Sequence, residues 1–367
     1  METAVPPERG GPLVLAIESS CDETAAAVLD GTRSCLSSAV HSQVEIHARF
    51  GGVVPELASR NHALAIMPVT REALRDAGAT VDDVAAVVVT EGPGLVGSLL
   101  VGIEFAKGLA LSRDIPLVGV HHLEGHLRAP WLEVTHGFDE PALPAVALVV
   151  SGGHTSLYLC AADGSYTALG RTLDDAAGEA YDKVGKLVGL GYPGGPVVDR
   201  RAALGNPGAY ELPRPLWRKG NLDFSFSGIK TAVAYRAADL DLSSESVMND
   251  LLASFQAAAC DVLAGKAERA CRLTATPRLI VTGGVACNAE LRRRLQQLRE
   301  RGIAVSVPPP ALCTDNAAMI GAAGYARAFE RIAAGEGFSG GSLNARATWP
   351  LAGLAAVAGA RSKVRQS

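Results

Sequence analysis

The chain has 367 residues, 48% of them hydrophobic and 20% charged, with a net charge of -4. Such a chain can bury one or two sizeable cores. Its acidic balance excludes a protein that coats nucleic acid by bulk charge, so a nucleic-acid partner would need a local basic patch or another subunit.

The seven cysteines, Cys21, Cys35, Cys160, Cys260, Cys271, Cys287 and Cys313, form no C-x-x-C pair. Reduced thiols in a cytoplasmic protein are expected. The first dozen residues have no apolar core of the kind a signal peptide carries. No uninterrupted apolar run reaches about 18 residues, so no membrane span is expected.

Leu13 to Ile17 and Ala25 to Leu29 are apolar runs on either side of Glu18-Ser-Ser-Cys-Asp-Glu-Thr24, which predicts a hairpin with a polar turn. That turn could hold a phosphate through backbone N–H groups, with Asp22 or Glu23 as base or as ligand to a metal-bound water; it could equally be an ordinary Asp-rich turn. Gly51 to Glu56 leads into a helix with Leu57, Leu64, Met67 and Leu74, closed near Gly78. A strand is expected at Val84 to Thr90. A helix follows through Leu99, Ile103 and Leu109, where Gly97, Gly102 and Gly108 would admit a close neighbour.

The strand Leu117 to Val120 delivers the chain to His121-His-Leu-Glu-Gly-His126. On a helix, His122 and His126 share one face, with Cβ atoms about 5–6 Å apart. That pair could hold a divalent transition metal or be two satisfied core histidines. Pro130 should end the helix and Gly125 weaken it.

The pattern then begins again. Ala145 to Val150 and Ser156 to Cys160 are strands around Ser151-Gly-Gly-His-Thr155, and Arg278 to Val281 runs into Thr282-Gly-Gly-Val-Ala-Cys-Asn288 and a helix from Glu290. Strand–polar turn–strand and strand–Gly loop–helix thus occur in each half, which predicts two similar α/β lobes around a ligand cleft. Val247, Leu251, Phe255, Ala258 and Val262 form a core stripe at helical spacing. Arg292, Arg293, Arg294, Arg299 and Arg301 read as the solvated face of a helix, or as a nucleic-acid contact. Asp315, before an Ala- and Gly-rich helix, is placed to be its N-cap.

No Walker A motif and no strand-linked G-x-G-x-x-G are present. The ordered landmarks Ile17-Glu-Ser-Ser-Cys-Asp-Glu-Thr24, Gly51 to Arg60, Gly92-Pro-Gly-Leu-Val-Gly97, His122-Leu-Glu-Gly-His126, Val150-Ser-Gly-Gly-His-Thr155, Asp174 to Lys183, Tyr192-Pro-Gly-Gly195, Phe226-Ser-Gly-Ile-Lys230, Gly283 to Asn288 and Cys313-Thr-Asp-Asn316 resemble the tRNA N6-adenosine threonylcarbamoyltransferase family, TsaD type. The resemblance spans roughly Leu13 to Arg346.

It implies an α/β fold of the actin, sugar kinase and Hsp70 (ASKHA) class: a first lobe of residues 12–132 plus 315–346, a second of residues 141–314, and flexible termini at 1–11 and 351–367. It implies transfer of a threonylcarbamoyl group from threonylcarbamoyl-AMP to the adenosine 3′ of a tRNA anticodon. His122, His126 and Asp315 would be ligands of one divalent metal, iron or zinc. Val149, Val150, Ser151, Gly152, Gly153, Asp182, Gly195, Asp199 and Asn288 would hold the adenylate, and Asp22 or Glu23 would orient the attacking amine. The expected partners are a paralogous subunit of the same fold (TsaB type) and a small ATPase (TsaE type).

A metallopeptidase is the first rival. The zincin pattern H-E-x-x-H has its Glu one place earlier than Glu124, which would point about 200° from His122. A sugar kinase or ATPase of this fold would not need the histidine pair, and a non-catalytic scaffold would not need the set His122, His126 and Asp315.

Overall fold

The computed structural model describes residues 10–217 and 220–351. Apart from residues 10, 11 and 351, the termini expected to be flexible lie outside the described residues. Two compact units divide the chain: one runs to Glu133 and resumes at Asp315–Pro350, and the other is Val134–Thr314.

The first unit opens with Leu13–Glu18 (β1) and Glu23–Leu29 (β2), paired antiparallel from Val14↔Leu29 to Glu18↔Ala25. Both are buried almost throughout, because apolar side chains on both faces can be satisfied only beneath helices. Cys35–Ser42 (β3) pairs with β2 at the sheet edge. Its polar, half-exposed residues lack the apolar run that marks a strand in sequence.

Val44–Ala48 (α1) precedes Pro55–Asp76 (α2), which starts on a proline and closes at Gly78 with φ +62°. The buried face of α2 is not the expected one. Leu64 and Met67 are exposed, while Ala58, His62, Ala65, Ile66, Val69 and Ala73 join Leu74 inside. Ala58, Ala65 and Ala73 let this face sit close to the sheet, and Leu64 and Met67 fall on the opposite side of the helix.

Val84–Gly92 (β4), Val96–Arg113 (α3) and Leu117–His121 (β5) complete the sheet β3-β2-β1-β4-β5, with β4 parallel to β1 and β5 parallel to β4. On α3, Gly97 and Gly102 lie against Ser59 and Ser19, but nothing approaches Gly108. His122–Arg128 (α4) follows β5 directly and passes into a 3-10 turn at Ala129–Trp131 that contains Pro130.

The second unit has Ala145–Val150 (β6), Thr155–Cys160 (β7) and Tyr166–Arg171 (β8), then Ala177–Leu187 (α5), Gly194–Ala202 (α6), Ser227–Ala238 (α7) and Glu245–Leu273 (α8). Arg278–Thr282 (β9), a 3-10 turn at Gly284–Cys287, Ala289–Glu300 (α9), Ala304–Ser306 (β10) and Pro310–Cys313 (α10) complete it. Its sheet order is β8-β7-β6-β9-β10, with β6 and β7 antiparallel and β9 and β10 parallel to β6. The two sheets therefore repeat one topology, as the duplicated motifs predict. Leu251, Phe255, Ala258 and Val262 of α8 are fully buried.

The chain returns to the first unit as Ala317–Ala333 (α11), which packs on β1, β2, β4 and α4. Glycines set how close it comes. A Cβ on Gly125 of α4 would meet Ile320 Cδ1 at 2.7 Å, and one on Gly324 would meet Val120 Cγ2 at 2.8 Å and Val88 Cγ2 at 3.0 Å. Gly125 thus weakens its own helix but lets α11 dock against it. No helix among the described residues is long and apolar enough to cross a membrane.

Gly324→Ala tests this packing. The stiff valines cannot turn aside, so overpacking of about 1–3 kcal/mol should exceed the roughly 1 kcal/mol of helix propensity gained. The midpoint of thermal unfolding should fall by several degrees. An unchanged or higher midpoint would show that α11 has room to spare.

Candidate functional site

In the first unit, β5 aims the chain at α4, and His121 caps that helix. Its Nδ1 accepts from Leu123 N at 3.1 Å while its Nε2 donates to the Trp349 carbonyl at 2.7 Å. The next imidazoles, His122 and His126, stand edge-to-face with centroids 4.9 Å apart. Asp315, 189 residues beyond His126, places Oδ1 at 3.1 Å from His126 Nε2 and at 3.5 Å from His122 Nε2. The three side chains offer ligand atoms that all lie within 4.8 Å of one another. Two imidazole nitrogens and one carboxylate oxygen suit a divalent first-row metal and leave positions for an outside ligand.

The surroundings fit that reading. Glu18, at the end of β1, is fully buried, and its Oε2 lies 3.1 Å from His122 Nδ1. Ser20 Oγ lies at 3.1 Å from the same nitrogen. A proton held on Nδ1 by Glu18 leaves Nε2 as the ligating atom. Thr90 Oγ1 and Ser20 N also donate to the Glu18 carboxylate, at 2.6 Å from Thr90. Burial alone would push this carboxyl up, as does the Asp315 charge, but His122 and the Thr90 hydroxyl outweigh them and hold it below its ordinary range. His126 Nδ1 is buried with no hydrogen-bond partner among the described residues.

Burial disfavours charge on His122, yet Asp315 and Glu18 prevail and push it up to about 9. In the metal-free protein His122 therefore carries a proton at neutral pH, and a metal must displace it.

The N-cap expected of Asp315 is Asn316 instead. Asn316 is extended, and its Oδ1 accepts from Met319 N at 2.9 Å. Asp315 stands one residue outside the helix, and its carboxylate is turned toward the histidines. Glu124 pairs with Arg327 at 2.9 Å.

Asp22 ends the turn between β1 and β2, and Glu23 opens β2, where it accepts from Ser42 Oγ at 3.1 Å. Burial first, then the Asp22 and Asp315 charges, push Glu23 up to about 9, and its carboxyl hydrogen-bonds to Asp22. Glu23 therefore holds its proton at neutral pH. Behind it, His62 donates through Nε2 to the Cys21 carbonyl at 3.0 Å and accepts from Thr24 at 2.7 Å, which ties α2 to the turn.

In the second unit, Val149 and Val150 are buried at the end of β6. Ser151 N donates to the His154 carbonyl at 2.8 Å, which closes the turn. A Cβ built on Gly152 or Gly153 would meet nothing within 4 Å, so both backbones are open to a ligand. Gly283, at φ +97°, lies against the Val150 carbonyl. Asp182 accepts from Gly194 N at 2.8 Å and Gly195 N at 3.1 Å, bracing that loop.

Asp199 accepts from Gln256 Nε2 at 3.0 Å, Asn288 Nδ2 at 3.0 Å and Ala289 N at 3.1 Å. Asn288 also donates to Gln256 Oε1 at 2.8 Å and caps α9 by accepting from Leu291 N at 2.9 Å. Its amide is thus committed to protein partners, and it holds Asp199 in place. Glu18, Ser20, Thr90 and Gln256 went unassigned in sequence. The only trace was Glu18 standing polar at the end of an apolar strand.

The arginines of α9 are tied down. Arg293 meets Glu290 at 2.7 Å, Arg294 meets Glu290 and Asp261, Arg299 meets Asp139 at 2.9 Å, and Arg301 meets Glu268 at 3.2 Å. Arg292 Nε donates to the Ala286 carbonyl at 2.8 Å. Carboxylates thus face Arg293, Arg294, Arg299 and Arg301, and offset part of the positive field that the nucleic-acid reading required.

Three outcomes are expected here. Affinity for zinc, measured by competition with a chelator, should fall as pH drops from about 9, because protons compete for His122. Glu18→Gln should weaken that affinity by about 10–100-fold, since an amide N–H facing His122 Nδ1 moves the ring proton to the ligating nitrogen. The third concerns Glu23, where the carboxyl is raised, so the folded state opposes its ionisation at every pH above the ordinary carboxylate range. Glu23→Gln should raise the thermal midpoint, by a margin that widens from pH 5 toward pH 9; a constant margin would show that Glu23 is ionised without penalty.

A model of the family "TsaD: tRNA N6-adenosine threonylcarbamoyltransferase" matches residues 34–322. A tRNA N6-adenosine threonylcarbamoyltransferase of Syntrophotalea carbinolica is 53% identical over 341 residues, covering 92% of this chain and 97% of that protein. One of Pelobacter propionicus is 56% identical over 314 residues, covering 85% and 91%. Among solved structures, full-length HypF in its phosphate- and nucleotide-bound form is similar at TM-score 0.57 and 13% identity, covering 88% of this chain and 47% of that one, so this chain matches about half of HypF. The activator of 2-hydroxyisocaproyl-CoA dehydratase from Clostridium difficile, with bound ADPNP, has TM-score 0.50 at 13% identity, covering 88% and 96%. These structural likenesses show the fold, α/β of the duplicated ASKHA class. By its family model and its relatives, the chain belongs to the tRNA N6-adenosine threonylcarbamoyltransferase family.

Proposed function

We propose that this chain transfers the threonylcarbamoyl group of L-threonylcarbamoyladenylate to the N6 amine of the adenosine 3′ of the anticodon, in tRNAs reading ANN codons, and releases AMP. The observation that carries this reading is the convergence of His122, His126 and Asp315 in a member of this family. These three would hold one divalent metal, iron before zinc. When bound, that metal supplies Lewis acidity toward the phosphate oxygens of the leaving group.

The remaining work falls to the chain's own groups. Backbone at Val149, Val150, Ser151, Gly152 and Gly153 receives the adenylate, because no side chain blocks the two glycines. Asp182 and Gly195 shape one wall. Asp199, braced by Asn288 and Gln256, accepts from a ribose hydroxyl. Asp22 or Glu23 orients the attacking amine and takes its proton. The anhydride already provides a good leaving group, so acid help is not required at AMP.

With net charge -4 and the α9 arginines paired, tRNA binding by this chain alone should be weak and salt-sensitive. A paralogous subunit of the same fold (TsaB type) and a small ATPase (TsaE type) would complete the tRNA-modifying complex. The seven free cysteines suit a reducing cytoplasm.

The test is incubation with threonylcarbamoyl-AMP and unmodified tRNA, followed by nucleoside mass spectrometry. Modified adenosine should appear only when the partner subunits are added. Rapid multiple turnover by the isolated chain would remove the partner requirement, and no product with them present would remove the reaction. His126→Ala and Asp315→Ala should lose both metal and transfer while staying folded, whereas Glu124→Gln should keep the metal. Asp199→Ala should weaken AMP binding without changing metal content.

A further inference from the structure

We propose that Cys287 and Cys313 form a dithiol redox site, which a hydroperoxide closes into an intramolecular disulfide. Both belong to the second unit and take no part in the chemistry above. Cys287 ends the 3-10 turn before α9, and Cys313 ends α10. Cys287 is partly exposed, while Cys313 is fully buried. Their thiols hydrogen-bond to each other. Cys287 Sγ also lies 3.9 Å from the Pro310 carbonyl oxygen, and Cys313 Sγ 3.3 Å from that of Pro308.

One guanidinium ties the two segments together. Arg292 gives Nε to the Ala286 carbonyl at 2.8 Å, and Nη2 to the Pro308 carbonyl at 3.2 Å and to Cys313 Sγ at 3.8 Å. It is fixed from below by Phe138, 5.9 Å from the ring centre. A pinned cation beside two neighbouring thiols, one partly exposed and one buried, is the arrangement of an attacking and a resolving thiol. The hydrogen bond from Cys313 outweighs burial, and with Arg292 it draws Cys287 down to about 7. Cys35, also partly exposed, is pushed up to about 11 by burial.

The chemistry balances. The Cys287 thiolate attacks one oxygen of hydrogen peroxide and the O–O bond breaks. Hydroxide leaves and takes up a proton as water, so Cys287 becomes a sulfenic acid. The Cys313 sulfur then displaces the hydroxyl from Cys287, and the Cys313 proton departs with it as a second water. Two thiols are oxidised and one peroxide is reduced.

The full-length reduced protein is treated with one equivalent of hydrogen peroxide, alkylated and peptide-mapped. Two of the seven thiols should disappear, a linked Cys287–Cys313 peptide should appear, and dithiothreitol should restore both. Cys287, with a second thiol and Arg292 beside it, should oxidise faster than Cys35, which has neither. Cys313→Ser should trap a dimedone-reactive sulfenic acid at Cys287. Absence of the linked peptide, or oxidation of Cys287 no faster than that of Cys35, would overturn the proposal.

Discussion

A buried carboxylate that must keep its charge governs the first unit. Glu18 is fully enclosed, and an ionised group in that position survives only with donors on every side. Thr90 of β4, the Ser20 amide and His122 of α4 supply them. Three separate elements are thus fixed around one anion. The orientation of His122 follows from it, and with that the direction of the nitrogen that faces Asp315.

Four carboxylates, Glu18, Asp22, Glu23 and Asp315, act on one another in this unit. The His122 imidazolium and the proton held by Glu23 offset part of that charge. A divalent cation would offset more, and would reverse the local preference for protons. The same helices carry glycine where bulk would be costly, at Gly125 and Gly324. Close docking of α11 on α4 is what brings Asp315 within reach of the histidine pair.

The second unit repeats the strand order with different chemistry. Its hairpin turn is Ser-Gly-Gly-His in place of Ser-Ser-Cys-Asp, which exchanges acidic side chains for accessible backbone. One turn suits a cation and the other a ligand that needs amides at close range. Here the buried polar groups form a largely neutral network around a single carboxylate, Asp199, held by Gln256 and Asn288. Even Lys266 of α8, fully buried, is satisfied by the carbonyls of Leu216 and Asp223 rather than by a carboxylate.

Sequence alone determined the elements whose environment is uniform. β1, β2, β4, β6 and β9 are continuous apolar runs, because strands covered on both faces need apolar side chains on both. The His122–His126 spacing, the Gly-bearing turns and the duplication were legible for the same reason: each depends on neighbours a few residues away. Edge strands β3 and β8 were not legible, since half-exposed strands tolerate polar residues. Neither was the inner face of α2, where small residues and His62, not Leu64 and Met67, meet the sheet. Asp315 and Asn316 are both good caps by composition, and only the extended backbone at Asn316 decides which one caps and which one faces the histidines. Glu18 acquires its role from His122, 104 positions away. Local periodicity records whether a residue is buried; which charges meet is settled by the packing of distant segments, and that is where tertiary structure alone decided the site.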